Sequence, residues 1–505
     1  MIWDELAKIA LIGTERAQLS ENTLSALAKL GINAEGNPAK AILEAAALYH
    51  SLRRAGFPLQ KQEPEFKPIQ PEESSPANRA SGRSAQHLSQ ILDGRYFYAL
   101  PEYLLLARQH HKHLPAEQLP FLFRLSLKYP QIWEKVQPAL GPEGQWLLRQ
   151  NPDWQALAEN PELDTWPDAT LEVKQAMLRF LRRTQPEQAV PLLTAIWDHL
   201  PHTDKQAFLN ILSTGLGDYD EAFLEGCLVD RRKEVRLAAA ALLSRLPDSG
   251  LIERLYARAM QLLKQKGNGP PDLQYPKALD EGLKRDGIGA KKGQPSDWTL
   301  EIFSKIPPKR WEEYFHKPTV DTLRLLAGSP RKQLLLEAAA NAAILHQDHR
   351  WIEAILRFWW RTNDEAAWSS ATGKRLIEQL PEPLFNELAV QQLQQQPGYI
   401  EESSLLSQML CQGAHEWEDR LALLVLKGFQ QWISGARNYY WNLWHYRRIL
   451  EVAAYKINPK LQESFRNGWD ARSPVWYRWE KEVDRFLQVL AFRKEMQAEV
   501  GRGNG

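Results

Sequence analysis

Cysteine is almost missing: the 505-residue chain has two, Cys227 and Cys411. That excludes a disulfide framework and fits a reducing compartment. Both fall in apolar helical stripes, which reads as core packing. Charge of one sign is equally scarce. With 63 basic and 62 acidic residues the net charge is +1, so no overall field draws the chain to nucleic acid or to an anionic membrane. Long apolar runs are lacking too. No stretch approaches the ~18 apolar residues of a membrane-spanning helix. Met1-Ile2-Trp3 leads directly into Asp4 and Glu5, without the basic and apolar regions of a signal peptide. These absences predict a cytoplasmic protein without a membrane partner.

Signatures of chemistry are also missing. No Ser-His-Asp, Cys-His, HExxH or phosphate-loop pattern stands out. The expectation is a protein that is not an enzyme and takes no cofactor or metal. His110 and His113 meet the spacing of helical metal ligands, but Glu117 lies beyond the break at Pro115, so no third ligand is in reach. His346 and His349 flank Asp348 and read as the turn between two helices. Gly287-Ile288-Gly289-Ala290-Lys291-Lys292 has neither the GxxxxGK[ST] spacing nor a preceding strand.

What is present is helical periodicity. From Asp204 to Lys264 the apolar residues return every three or four positions. Phe223, Leu224, Cys227 and Leu228 make one stripe, and Val235, Ala239, Leu242, Leu243 and Leu246 the next. Asp230-Arg231-Arg232 is too short a joint for anything but an antiparallel return. A helical hairpin of this kind cannot bury its apolar face alone and needs neighbours of its own kind. The fold class expected is all-α: an α-solenoid of stacked antiparallel hairpins with irregular insertions.

Composition divides the chain. Residues 1–57 form an N-terminal helical segment in which Gly13-Thr14-Glu15-Arg16 ends the first helix. Prolines 58, 64, 68, 71 and 76 make 58–85 an extended linker with one PxxP at Pro68–Pro71. Helical repeats fill 86–264, including the unit 204–264. A Gly/Pro/Lys-rich loop spans 265–297, long enough to suggest a docking insertion. Helices are expected again at 319–327, 331–346, 349–361 and 368–380, within a Trp-rich C-terminal repeat region, 298–500. There, 429–448 interleaves aromatics with arginines. Such a run reads as a bulky core, a protein-binding patch or a surface that stacks bases. A last helix from about Val475 to Val500 suits a terminal cap.

Two resemblances rest on these residues. Asp230, Val235-Arg236, Ala239-Ala240, Leu243 and Leu246-Pro247 resemble the HEAT-repeat pattern. That resemblance implies a ladder in which Asp230 and Arg236 bond between adjacent repeats. The opening WDELAKIALIGTERAQL, and Asp286-Gly287-Ile288 followed by lysines and a Trp-containing helix, resemble an uncharacterised bacterial family of HEAT-like helical proteins. Its members are usually encoded beside MoxR-type AAA+ ATPases and von Willebrand factor A-domain proteins.

The function expected from all this is a non-catalytic scaffold or adaptor. The resemblance implies an AAA+ ATPase or a von Willebrand factor A-domain protein as its partner. The expected contacts are Lys284, Arg285, Lys291, Lys292, Arg437, Tyr440, Trp441 and Trp444. The alternative is a HEAT-like nucleic-acid-binding protein, for which a basic concave stripe would be needed.

Overall fold

The computed structural model describes residues 2–16, 18–34, 37–55, 78–157, 166–265, 267–289, 293–395, 400–435 and 444–501. Among them are twenty-eight α-helices and a single pair of two-residue strands, Leu263–Lys264 and Asp272–Leu273, joined antiparallel. The chain is therefore all-α. It divides into two compact units, Met1–Gln70 and Pro71–Gly505.

Among its described residues the smaller unit has three helices, Ile2–Ile12, Glu21–Lys29 and Pro38–Ala55, around Leu6, Leu27, Ile32, Ala41 and Ala45. Gly13 follows the first helix with φ +97 and donates its N–H to the Ile9 carbonyl at 2.8 Å. This left-handed stop suits glycine, which has no Cβ to clash. Beyond the stop, the Glu5 carboxylate accepts hydrogen bonds from Thr23 and from the backbone and hydroxyl of Ser20. Those bonds hold it below the usual carboxylate range. The expected linker 58–85 lies outside the described residues up to Ala77.

In the larger unit a series of helices pack one on another. Leu171–Thr184 lies on His202–Leu212, which lies on Lys233–Leu243. Lys233–Leu243 in turn packs on Gly250–Leu262, and that helix on Pro295–Phe303. The row continues through Lys332–Leu345, Ala371–Glu378, Leu405–Gln412 and Trp444–Lys456 to Glu480–Val500. Lys332–Leu345 shows why the sequence suits such a row. Ala338, Ala339, Ala340, Ala342 and Ala343 are all buried, so helices approach from several sides at little side-chain cost.

The expected helix 319–327 runs Thr319–Ala327. The one expected at 368–380 is instead two, Glu365–Ser369 and Ala371–Glu378. Ser370 between them is extended, and its hydroxyl caps the second helix by accepting from the Gly373 N–H at 3.0 Å. Residue 373 must be glycine, because a Cβ would sit 2.4 Å from the Ala367 carbonyl oxygen.

Charges are used sparingly inside. Arg182, at the end of Leu171–Thr184, has no exposed side-chain surface, and neither has its partner Asp220. The pair is bidentate, with both N···O distances 2.8 Å. The guanidinium also donates to the Pro186 carbonyl and to the carbonyls of Leu212, Thr214 and Gly215, at and just past the end of His202–Leu212. Every donor is thus satisfied, as burial of a charge demands. Removing one partner leaves the other charge buried and alone. Arg182→Met should destabilise the fold by about 3–5 kcal/mol, whereas Arg182→Met combined with Asp220→Leu should recover most of that loss. Equilibrium denaturation of the two variants checks both expectations.

Candidate functional site

The last helix does not merely follow its predecessor. Glu480–Val500 also packs on Gly82–Leu92 and Leu100–Gln109, the first two α-helices of the larger unit. Val483, Phe486 and Leu490 belong to the main core, while Phe492, Met496 and Val500 join a second core built from residues 88–157. Phe492 stacks on Tyr96 with ring centres 3.9 Å apart and meets His87 edge-on. The expected terminal cap is therefore a seam between the two ends of the array.

One arginine organises the seam. Arg493, 3% exposed, donates to the Glu102 carboxylate at 2.6 and 3.1 Å. Its third nitrogen donates to the carbonyls of Ala454 and Ile457, at the end of Trp444–Lys456. Gln497 adds a bond to Glu102 at 2.7 Å. Three helices from opposite ends of the unit thereby meet on one guanidinium, whose planar fork suits several acceptors at once.

Beside this clamp lies a cleft of about 1080 Å³. Residues from 94–108 line one side and residues from 412–417, 447–459 and 482–497 the other, with Glu134 and Lys135 at an edge. Phe97, Tyr98 and Leu105 are exposed along it, Tyr98 by 74%. Tyr98 meets Tyr455 edge to face across the seam, with centres 5.6 Å apart. Burial pushes the Tyr455 phenol up, and the Arg485 guanidinium partly opposes that rise.

Charge in the cleft is uneven: eight basic side chains against five carboxylates. Each carboxylate faces a cation. Glu102 holds Arg493, Glu416 holds Lys456 at 3.0 Å, Glu451 holds Arg448 at 3.3 Å and Glu482 lies 3.7 Å from Arg447. Glu134 interacts with Arg183. The exposed side chains of Arg95, Arg108, Lys135 and Arg485 have no carboxylate at ion-pair distance among the described residues. Two further groups stand out. Both amide atoms of Gln412, and the indole nitrogen of Trp417, are buried without a hydrogen-bond partner among the described residues. Each such group costs about 1–3 kcal/mol until something pairs with it.

The residues predicted for partner contact are elsewhere or accounted for locally. Lys284 pairs with Glu281 at 2.8 Å and Arg285 with Asp286 at 3.1 Å. Lys291, Lys292, Arg437, Tyr440 and Trp441 lie outside the described residues. Trp444 is 67% exposed at the start of its helix. Of the other aromatics of the run that are described, Phe429, Trp432 and Tyr446 stack on one another; Tyr439 lies outside the described residues. The Tyr446 hydroxyl accepts the Ile400 N–H at 2.8 Å.

The loop 265–297, expected as an insertion, is packed into the fold where it is described. Asp286 is buried and takes two bonds from Arg254, at 2.9 and 3.0 Å. Gly287, at φ +79, leaves no room for a Cβ against Ala240, and Ile288 is buried. In the expected ladder, the Asp230 carboxylate holds Lys205 of an earlier helix at 3.0 Å. Arg236 instead donates to the backbone carbonyls of Asp230 and Arg231.

His346 bonds the Lys305 carbonyl through Nε2 at 2.9 Å, and Asp348 caps the following helix. Among the described residues no group of three His, Cys, Asp or Glu side chains is placed to hold a metal. Burial pushes the Cys227 thiol up to about 12 and the Cys411 thiol up to about 11, which leaves little thiolate at neutral pH.

Burial also lowers the pKa of His445, whose Nε2 bonds the Ile400 carbonyl at 2.9 Å. The unfolded chain takes up this proton near pH 6.5 and the folded chain only at lower pH. Stability is thus full above about pH 6.5 and is lost as pH falls below it, by at most about 1.4 kcal/mol per pH unit for this group. Denaturation midpoints between pH 7 and 5 should decline, and His445→Gln should flatten that decline.

No helix among the described residues is long and apolar enough to cross a membrane. No curated protein and no solved structure matches this chain. Residues 5–500, nearly its whole length, match the model of a family of unknown function (DUF5691), and the chain belongs to that family.

Proposed function

We propose that this protein is a non-catalytic, cytoplasmic scaffold or adaptor, its helices arranged as a HEAT-like α-solenoid that presents a binding face to a protein partner. The observation that carries the reading is the seam cleft. It combines exposed aromatic side chains with Arg95, Arg108 and Arg485, which have no carboxylate at ion-pair distance among the described residues. Trp, Tyr and Arg dominate the energetics of protein-binding patches. The row of helix-on-helix contacts from Leu171–Thr184 to Glu480–Val500 also supports the solenoid, because stacked pairs offer extended surfaces for macromolecules.

The five carboxylates of the cleft lie opposite cations, an arrangement suited to holding shape rather than to exchanging protons with a substrate. They also interrupt the basic surface that a nucleic-acid backbone would need. The family resemblance of the opening and of Asp286-Gly287-Ile288 favours a MoxR-type ATPase or a von Willebrand factor A-domain protein as partner.

Affinity purification of the full chain from its native cells, after mild cross-linking, tests the reading. The expected result is enrichment of one of those two proteins over a control with unrelated bait. Recovery of neither, together with nuclease-sensitive retention of nucleic acid, would contradict it.

A further inference from the structure

We infer that the seam cleft takes an extended acidic segment of the partner, with aromatic side chains interspersed among its carboxylates. This rests on the adaptor reading and specifies its ligand. Three independent features of the cleft point the same way.

The first is charge. Arg95, Arg108, Lys135 and Arg485 line the cleft without carboxylates at ion-pair distance among the described residues. Carboxylates of a ligand can engage them without displacing the internal pairs that hold the seam. Guanidinium groups bind carboxylates through two parallel bonds, which adds geometry to the attraction. The second is apolar surface. Tyr98, in the 3-10 turn Phe97–Ala99, and Leu105, in the following helix Leu100–Gln109, both line the cleft with exposed side chains. With Tyr455 opposite, they offer ring edges and faces to an aromatic side chain. The third is unmet hydrogen bonding. Gln412 can both donate and accept, and Trp417 can donate; both line the cleft with those atoms buried and unpartnered among the described residues.

Size and charge pattern choose among ligand classes. A volume of about 1080 Å³ is just above the ~300–1,000 Å³ range of small-molecule pockets, so a segment of polymer fits better than a metabolite. A nucleic-acid strand carries a charge on every residue, and the five cleft carboxylates would face it. An acidic peptide places its charges at intervals and can avoid them.

The full chain should be titrated with a fluorescein-labelled dodecapeptide of four Glu-Glu-Trp repeats, read by anisotropy. The controls are the same peptide with every Glu replaced by Gln and a labelled twelve-residue oligothymidylate. Saturable binding of the acidic peptide is expected, about tenfold or more tighter than either control. The double variant Arg108→Glu with Arg485→Glu should weaken it at least about tenfold while leaving the melting midpoint in place. Tyr98→Ala, at a largely exposed position, should weaken it about fivefold, with the melting midpoint measured alongside because the ring also meets Tyr455. Lys284→Glu, outside the cleft, should change nothing.

Equal affinity for the Gln peptide, tighter binding of the oligonucleotide, or unchanged affinity in both the arginine and the tyrosine variants would overturn the inference. So would a wild-type chain that ignores the peptide. Should that chain still capture its partner from cells, the adaptor reading stands and this site alone is refuted.

Discussion

The Arg493–Glu102 clamp is the constraint on which the larger unit depends. Its two residues are 391 positions apart in sequence, and the guanidinium is buried while the carboxylate is only partly so. The guanidinium, carried by Glu480–Val500, has acceptors on Leu100–Gln109 and at the end of Trp444–Lys456, so none of the three helices can shift without leaving a buried donor unpaired. Around it, Phe492, Met496 and Val500 complete a core that the first helices do not fill themselves. The cleft follows from this geometry: it is the space left where the two ends of the array meet.

The same device recurs at smaller separations. Arg182 reaches from one helix to the closing carbonyls of the next and to Asp220. Arg254 joins Glu225 behind it to Asp286 ahead. In each case an arginine spans successive elements that apolar contact alone would let slide. Hydrophobic burial is roughly proportional to area and has no direction; the bidentate pairs set the register. Buried ion pairs add little net stability on average, but breaking one by removing a partner is costly.

The helices were readable because their cause is local. A stripe such as Val235, Ala239, Leu242 and Leu243 repeats with the helical period, and the structure buries all four. Glycine at 13 reads as a stop for the same reason. The seam was not readable. Glu102 lies in Leu100–Gln109 beside the alternation of a surface helix, and Arg493 looks like one more charge on an amphipathic face; nothing local joins them. Arg182 was hidden in the same way, since Leu181-Arg182-Arg183 resembles an ordinary basic helix end. Lys284 and Arg285 suggested a contact surface from their cations alone; the structure adds that Glu281 and Asp286, close by in the chain, pair with them. Asp286 reads as a loop residue by its glycine neighbours, although it is among the most tightly held carboxylates in the fold.

The closure of the larger unit is best measured as a distance between its ends. Arg83 and Glu499, whose side chains approach to 3.6 Å at the edge of the seam, can each be replaced by cysteine and spin-labelled in a chain whose native cysteines are serine. Pulsed electron paramagnetic resonance should give one narrow, short-range distance, which broadens and lengthens when Arg493 is replaced by leucine. A broad or long distribution in the otherwise intact chain would mean that the ends do not meet, and the account of the seam would be wrong.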